Sequence, residues 1–252
     1  MGKKLGQKRN TVAVEKYHPY ICTPAYDGKV DADYALAMTE MAYCCPIWGV
    51  QITASIIGNG AFIDLARNTF VKRFLEDEPD CTHLFFIDAD LKFPANAFIG
   101  LARAGLPICA GLYRRRQETE DYPIKYTEHK DGGLWVEDHG GVDWIMADRV
   151  PTGFLCIRRD IIEEMAAEAR QIQIQGDGEI VMVPELFYTD VLPDGRFIGE
   201  DFAFCEDYIK KYKRPIHVYP NIDFVHGGYK CNFSDYLERK IEAEDENAVS
   251  AA

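Results

Sequence analysis

The sequence feature that most restricts the fold is Thr82–Pro94, THLFFIDADLKFP, in which an apolar run ends at two carboxylates. The continuous run Leu84–Ile87 is typical of a strand buried on both faces, as in a parallel sheet. Asp88 and Asp90 then follow at the carboxyl end of that strand, where open α/β sheets bind their ligands. Two neighbouring acids repel each other and lose solvation unless a cation lies between them and a partner. The segment therefore predicts an α/β fold with a site for Mg²⁺ or Mn²⁺, shared with the phosphates of a substrate.

The same tripeptide occurs a second time, and this copy serves as an internal control. Asp31-Ala32-Asp33 follows a polar turn and leads into a helical pattern. Its acids are therefore predicted at a helix N-terminus, where the helix dipole favours negative charge. Because the tripeptide alone carries little information, the strand that precedes Asp88 and Asp90 gives them their weight. The alternative for that pair is a solvated turn after a core strand.

Composition restricts the binding partners and the compartment. The formal net charge of −13 argues against broad electrostatic binding to nucleic acid or to an anionic membrane. The eight cysteines show no Cys-x-x-Cys spacing, which favours a reduced, cytoplasmic setting. We find neither a signal peptide nor an apolar run of membrane-spanning length.

Strands and helices alternate along the first half of the chain, in the order that predicts a mostly parallel, Rossmann-like sheet with helices on its faces. The segment 113–150 breaks this pattern, since it is polar, rich in Gly and Asp, and contains the basic run Arg114–Arg116. A loop of that length is usually functional or mobile. We expect a flexible basic tail over residues 1–16, a single domain over 17–233, and an acidic C-terminal helix and tail over 234–252.

Several segments in order resemble the GT-A-fold glycosyltransferases, and most of all the small phage- and virus-type enzymes related to the inverting family 2 transferases. They are CTPAYDG, the Ala-Arg-Asn at 66–68, FFIDADLKFP, PTGFLCIRRD, GEDFAFCEDYIKKY and VHGG, spread over residues 18 to 230. The resemblance implies a nucleotide-binding half up to about residue 111 and an acceptor-facing half after it, with a hairpin or lid region. It also implies a UDP- or GDP-linked sugar donor, Mn²⁺ or Mg²⁺, and a hydroxyl acceptor on a glycan, a protein, a lipid-linked sugar or a modified nucleobase. For a virus-encoded chain the compartment would be the host cytoplasm.

The resemblance assigns metal-site roles to three residues. Asp90 matches the acid that ligates the cation directly. Asp88 matches the acid that meets the ribose or reaches the metal through water. His226 matches the C-terminal histidine that completes the site, and its alternative is a purely structural histidine.

The resemblance also assigns residues to the nucleotide-sugar donor. The loop after the first strand is expected to hold the base, and Arg67 with Asn68 to contact the nucleotide. Lys230 is expected to neutralise the departing diphosphate. The expected donor-binding residues are therefore Pro24, Ala25, Tyr26, Asp27, Arg67, Asp88, Ala89 and Lys230.

Gly199-Glu200-Asp201 opens a helix, where acids are stabilised by the dipole. The resemblance makes Asp201 the general base for the acceptor hydroxyl and Glu200 a residue that orients sugar or acceptor, whereas the alternative for both is helix capping. Trp135 and Trp144 are candidates for stacking on an acceptor sugar or for core packing. Other functions stay open: a retaining GT-A transferase, a haloacid-dehalogenase-like phosphatase, or a non-catalytic carbohydrate-binding module.

Overall fold

A computed structural model describes residues 16–58, 62–176 and 179–250, so the expected basic tail, except for Lys16, lies outside the described residues. The helices are α1 (Ala32–Cys44), α2 (Ile63–Glu76), α3 (Ala95–Arg103), α4 (Arg159–Glu168), α5 (Glu200–Tyr212) and α6 (Phe233–Ser250), with a 3₁₀ helix at Cys45–Trp48. The strands in the first half are β1 (Pro19–Ala25), β2 (Thr53–Gly58), β3 (His83–Ile87), β4 (Leu91–Lys92), β5 (Ile108–Gly111), β6 (Lys125–Tyr126), β7 (Val136–Asp138) and β8 (Asp143–Arg149). Those in the second half are β9 (Phe154–Arg158), β10 (Gln171–Gly176), β11 (Glu179–Pro184), β12 (Asp190–Val191), β13 (Phe197–Ile198), β14 (Ile216–Tyr219), β15 (Phe224–His226) and β16 (Tyr229–Cys231).

A nine-stranded sheet forms the centre of the fold, in the order β2-β1-β3-β9-β5-β14-β8-β6, with β7 paired to β8. The pairs β1/β2, β1/β3 and β5/β14 are parallel. Strand β9 runs antiparallel between β3 and β5, and β8 runs antiparallel beside β14. This arrangement confirms the predicted α/β class with a mostly parallel, Rossmann-like sheet.

Strand β3 lies between two layers of helices. Its successive side chains point alternately into one layer and the other. The Phe85 ring packs on Phe98 of α3, with 4.6 Å between centroids. Its neighbour Phe86 faces the other side and packs edge-on against Phe70 of α2. All five residues of β3 are buried, as the apolar run predicts. Strand β3 is therefore covered on both faces.

The segment 113–150 is more regular than its composition indicates. It contains β6, β7 and β8, and β8 pairs with β14 inside the central sheet. Trp144 of β8 is only 4% exposed and packs on Tyr219 of β14, so the core alternative holds for this tryptophan. The polar residues of the neighbouring turns and exposed strands gave the whole segment a loop-like composition, although β8 is a strand of the core.

Several chain segments meet at the carboxyl edge of β1 and β3. The loops after β1, β3 and β5 leave the sheet there, and β9 begins there, since Ile87 pairs with Phe154. A small sheet of order β16-β15-β4 covers the end of β3. The first Asp-Ala-Asp copy behaves as predicted, because α1 begins at Ala32 with Asp31 as its N-cap residue.

All eight cysteines are free, and all but Cys44 are buried. In the part of the chain that the structure describes, no helix combines the length and the apolar character that a bilayer span requires.

Candidate active site

The pairing of β15 with β4 brings the two ends of the candidate site together. His226 lies opposite Leu91, the residue that follows Asp90. The backbone N–H of Gly227 also donates to the carbonyl of Asp90 at 3.5 Å. As a result, Nε2 of His226 lies 3.5 Å from Oδ2 of Asp90. The resemblance named both residues, and the sheet register is the physical reason that they meet.

The His226 ring is oriented by its second nitrogen. Nδ1 lies 2.7 Å from the carbonyl oxygen of Arg114, which can only accept, so Nδ1 carries the proton. In the neutral ring, Nε2 then presents a lone pair to the Asp90 carboxylate. Two acceptors at this separation require a proton or a cation between them.

The pKa values of this pair show the same coupling. Burial alone would lower the pKa of His226, but its hydrogen bonds to Asp90 and to the Arg114 carbonyl outweigh this and raise it. Burial would raise the pKa of Asp90, yet the nearby His226 and the Arg116 guanidinium lower it below its ordinary value. Asp90 is therefore held as a carboxylate in a partly buried position.

Arg116 contacts the same carboxylate oxygen as His226. Its Nη1 lies 2.6 Å from Oδ2 of Asp90, although the Arg116 side chain is 62% exposed. Gly227 makes room for the arginine stem, because a Cβ at this position would lie 2.5 Å from Cδ of Arg116. Its φ of +55° also favours glycine.

Asp88 is engaged by a different set of partners. The Tyr113 hydroxyl accepts from the N–H of Gly153 at 3.0 Å and donates its proton to Oδ2 of Asp88 at 2.9 Å. Burial, and then the Asp88 charge, raise the pKa of Tyr113 well above its ordinary value, so the hydroxyl stays protonated. The other carboxylate oxygen, Oδ1, lies 3.6 Å from Nη2 of Arg67. Asp88 is thereby fixed by Tyr113 and Arg67.

Within residues 16–58, 62–176 and 179–250, no group of three or more His, Cys, Asp or Glu side chains is placed to hold a metal ion. Asp90 and His226 nevertheless suit a divalent cation, since a carboxylate oxygen and an oriented imidazole nitrogen face one another. Mg²⁺ and Mn²⁺ sites commonly use one or two protein ligands and complete their coordination with phosphate oxygens and water. The predicted direct role of Asp90 and the indirect role of Asp88 are compatible with this geometry and stay predictions.

A buried arginine, Arg67, connects the first residue of α5 to Asp88. Arg67 is 4% exposed, pairs closely with Glu200 and reaches Asp88 on its other side. Its guanidinium also lies 5.9 Å from the Phe86 ring centroid. Both Arg67 and Glu200 therefore have internal partners. Their predicted contacts with donor and acceptor stay predictions.

Asp201 has the electrostatic environment of a base. Burial, and then the negative charge of Glu200, raise its pKa from 3.8 to about 6, although Arg67 opposes the shift. Its Oδ1 accepts from the N–H of Phe202 at 2.8 Å. A carboxylate poised near neutral pH suits proton abstraction better than an ordinary surface acid does.

The loop expected to hold the nucleotide base lies at the same sheet edge. Pro24 and Ala25 end β1, and the Tyr26 side chain that follows is 78% exposed. Asp27 turns back to accept from the N–H of Lys29 at 3.1 Å, which lowers the pKa of Asp27. The carbonyl of Ala89 accepts from the N–H of Asp31 at 2.9 Å and so ties the Asp88–Asp90 segment to α1. The exposed Tyr26 ring is free to stack on a ligand.

Lys230 and Asn68, two residues expected to contact the donor, have other surroundings in the structure. Lys230 pairs with Val225 in the β15/β16 hairpin, so its side chain lies on the face opposite to His226. There it lines a cavity of about 630 Å³ together with Lys92 and Asp235. The amide of Asn68 is used by backbone groups, donating to the carbonyl of Phe187 at 2.7 Å and accepting from two N–H groups. Asn68 therefore fixes the segment after β11.

Sequence reasoning missed the segment Tyr113–Arg116, which contacts all three predicted metal-site residues. Tyr113 bonds Asp88, the Arg114 carbonyl bonds His226, and Arg116 bonds Asp90. The available signal was a basic run directly after β5, a strand that ends at the same sheet edge.

Comparisons with known proteins show no family for this chain. No protein-family model matches the chain, and no curated protein matches it. One similar solved structure is titled "Crystal Structure of A197 from STIV", with a TM-score of 0.48 and 14% identity, covering 83% of this chain and 85% of that one. A second is titled as a glycosyltransferase involved in glycosylation of the major capsid of PBCV-1, with a TM-score of 0.29 and 12% identity, covering 58% and 62%. At these TM-scores neither likeness assigns a function to the chain.

Proposed function

We propose that this chain is a glycosyltransferase that moves a sugar from a UDP- or GDP-linked donor to a hydroxyl acceptor. In this proposal Asp90 and His226 hold a divalent cation, and Asp201 is the general base of an inverting single displacement. The observation that carries the proposal is the pair formed by Asp90 Oδ2 and His226 Nε2, 3.5 Å apart at the carboxyl edge of the sheet.

The donor end of the site follows from this pair. The Arg114 carbonyl fixes His226 with Nε2 directed at Asp90, so both ligating atoms are positioned before anything binds. When bound, the cation supplies positive charge to the two phosphates of the leaving nucleoside diphosphate. Tyr26, exposed next to the loop that carries Asp88, stacks on the base, and Asp88 faces the ribose.

The acceptor end uses Asp201. With a pKa of about 6, its carboxylate is mostly ionised at neutral pH and still basic enough to take a proton from a hydroxyl. As the acceptor oxygen attacks the anomeric carbon, its proton passes to Asp201 and the bond to the diphosphate oxygen breaks. Glu200 pairs with Arg67 of α2, which also lies 3.6 Å from Asp88; these contacts keep the start of α5, and with it Asp201, in place.

The proposal is tested by nucleotide-sugar turnover. We would incubate the protein with UDP- and GDP-linked sugars in Mn²⁺ or Mg²⁺ and measure release of nucleoside diphosphate, with and without chelator. The variant Asp90→Asn keeps the side-chain shape and removes the charge, so hydrolysis is expected to fall by at least about tenfold. The matched control is Asp33→Asn, the same position of the first Asp-Ala-Asp copy, where only a half-exposed pair with Lys92 is lost.

Other results would favour other functions. Full turnover in excess chelator would exclude the cation, and retained activity in Asp90→Asn would exclude this ligand. Hydrolysis of phosphate monoesters would favour a phosphatase, and sugar binding without any turnover would favour a carbohydrate-binding module. NMR of the product anomer separates inverting from retaining transfer once an acceptor is known.

A further inference from the structure

Arg116 occupies the carboxylate oxygen through which Asp90 would bind a cation. Its Nη1 is 2.6 Å from Oδ2 of Asp90, closer than His226 Nε2 at 3.5 Å. The neighbouring Arg115 points elsewhere and pairs with Asp121 at 2.8 Å. Two consecutive arginines therefore make similar ion pairs, of which only one lies in the candidate site.

A guanidinium and a divalent cation cannot both sit on this oxygen, because their like charges would repel at contact distance. The Arg116 side chain is 62% exposed, so it can leave Asp90 without unpacking the core. Gly227 gives its stem a bare backbone to lie against. The two NH₂ groups and Nε of a released guanidinium match the spacing of phosphate oxygens.

We propose that Arg116 has two positions: it neutralises Asp90 before the cation binds, and it binds the donor diphosphate afterwards. This inference rests on the function proposed above. It gives Arg116 the part that the resemblance gave to Lys230, whose side chain lies on the other face of the β15/β16 hairpin from His226. Arg116 is thus both a competitor of the cation and a ligand of the nucleotide.

The two proposed roles of Arg116 predict opposite changes in Mn²⁺ affinity and in nucleotide affinity when the arginine is replaced. Mn²⁺ alone, titrated into the protein and followed by electron paramagnetic resonance, should bind Arg116→Gln about three- to tenfold more tightly than the parent chain. At saturating Mn²⁺, isothermal titration with UDP and with GDP should show affinity for Arg116→Gln weakened by at least about threefold. A merely structural arginine would change both affinities in the same direction or neither.

Two further variants separate charge from geometry. Arg115→Gln removes an ion pair of similar length outside the candidate site and should leave both affinities within about twofold of the parent. Arg116→Lys keeps the charge without the fork, so its affinities should lie between those of the parent and Arg116→Gln. Unchanged or weaker Mn²⁺ binding in Arg116→Gln overturns the competition, and unchanged nucleotide affinity overturns the diphosphate contact. If neither the parent nor Arg116→Gln binds Mn²⁺, the proposed function fails as well.

Discussion

The substitution Asp201→Asn should stabilise the protein at neutral pH, because Asp201 is an acid whose charge the fold disfavours. Its pKa rises from 3.8 to about 6 on folding. One pKa unit corresponds to about 1.4 kcal/mol. Ionised Asp201 therefore lowers the free energy of unfolding by up to about 3 kcal/mol above pH 6. Asn keeps the acceptor for the Phe202 N–H and carries no charge, so this cost disappears.

The pH dependence identifies the cause. Between pH 3.8 and about 6 the folded protein binds more protons than the unfolded chain, so the Asp201 contribution to stability falls as pH rises through this interval. The gain from Asp201→Asn should be largest at pH 7.5 and reduced to about half at pH 5. Below pH 3.8 the neutral acid and the amide should be nearly equivalent.

Urea unfolding of both proteins at pH 7.5 and pH 5 measures this difference. Asp33→Asn is the control, since it is a surface substitution expected to change stability by less than about 0.5 kcal/mol at either pH. In Asp201→Asn the turnover of a transferase should fall by about 10²–10⁴-fold. Equal or lower stability of Asp201→Asn at pH 7.5, or a gain that persists unchanged at pH 5, would refute the account of a buried, high-pKa carboxylate.

Two other substitutions test the remainder of the site. A Cβ at Gly153 would overlap the Tyr113 hydroxyl and the Asp88 carboxylate, so Gly153→Ala should lower the free energy of unfolding, measured in urea, by about 2–4 kcal/mol. The control Gly100→Ala adds a Cβ that meets no atom within 4 Å and should stabilise this exposed helix position. Equal effects of the two substitutions would contradict the packing around Gly153. His226→Ala should weaken Mn²⁺ affinity by at least about tenfold in paramagnetic resonance titrations, whereas His217→Ala, a half-buried histidine against an aromatic ring, should lower the melting temperature without changing metal affinity.

Local patterns predicted the first half of the fold because its segments have simple environments. The run Leu84–Ile87 is buried on both faces, and the helical pattern that begins after Asp31 is α1. The position of Asp88 and Asp90 at a strand end follows from the same run. In these segments each residue's burial is decided by its own strand or helix.

Long-range pairing set the features that local patterns could not predict. Strand β9 inserts antiparallel between β3 and β5, and β8 joins the sheet from a segment whose composition resembles a loop. The face on which Lys230 lies depends on its pairing with Val225, and a shift of one residue would reverse it. Proximity in sequence to His226 therefore did not place Lys230 on the same face of the hairpin.

The dependence of the site on Tyr113–Arg116 follows from the chemistry of its members. Asp88 and Asp90 come from the end of β3 and His226 from β15, and neither strand alone fixes the direction of these side chains. The segment after β5 supplies a hydroxyl proton to Asp88, a carbonyl to His226 and a guanidinium to Asp90. The hydroxyl and the guanidinium are donors to carboxylates, and the carbonyl is an acceptor that selects the ring tautomer. Because β5 is an interior strand of the sheet and Tyr113 and Arg114, which follow it, are buried, the core orients the hydroxyl and the carbonyl before any ligand arrives, whereas the exposed Arg116 side chain can move.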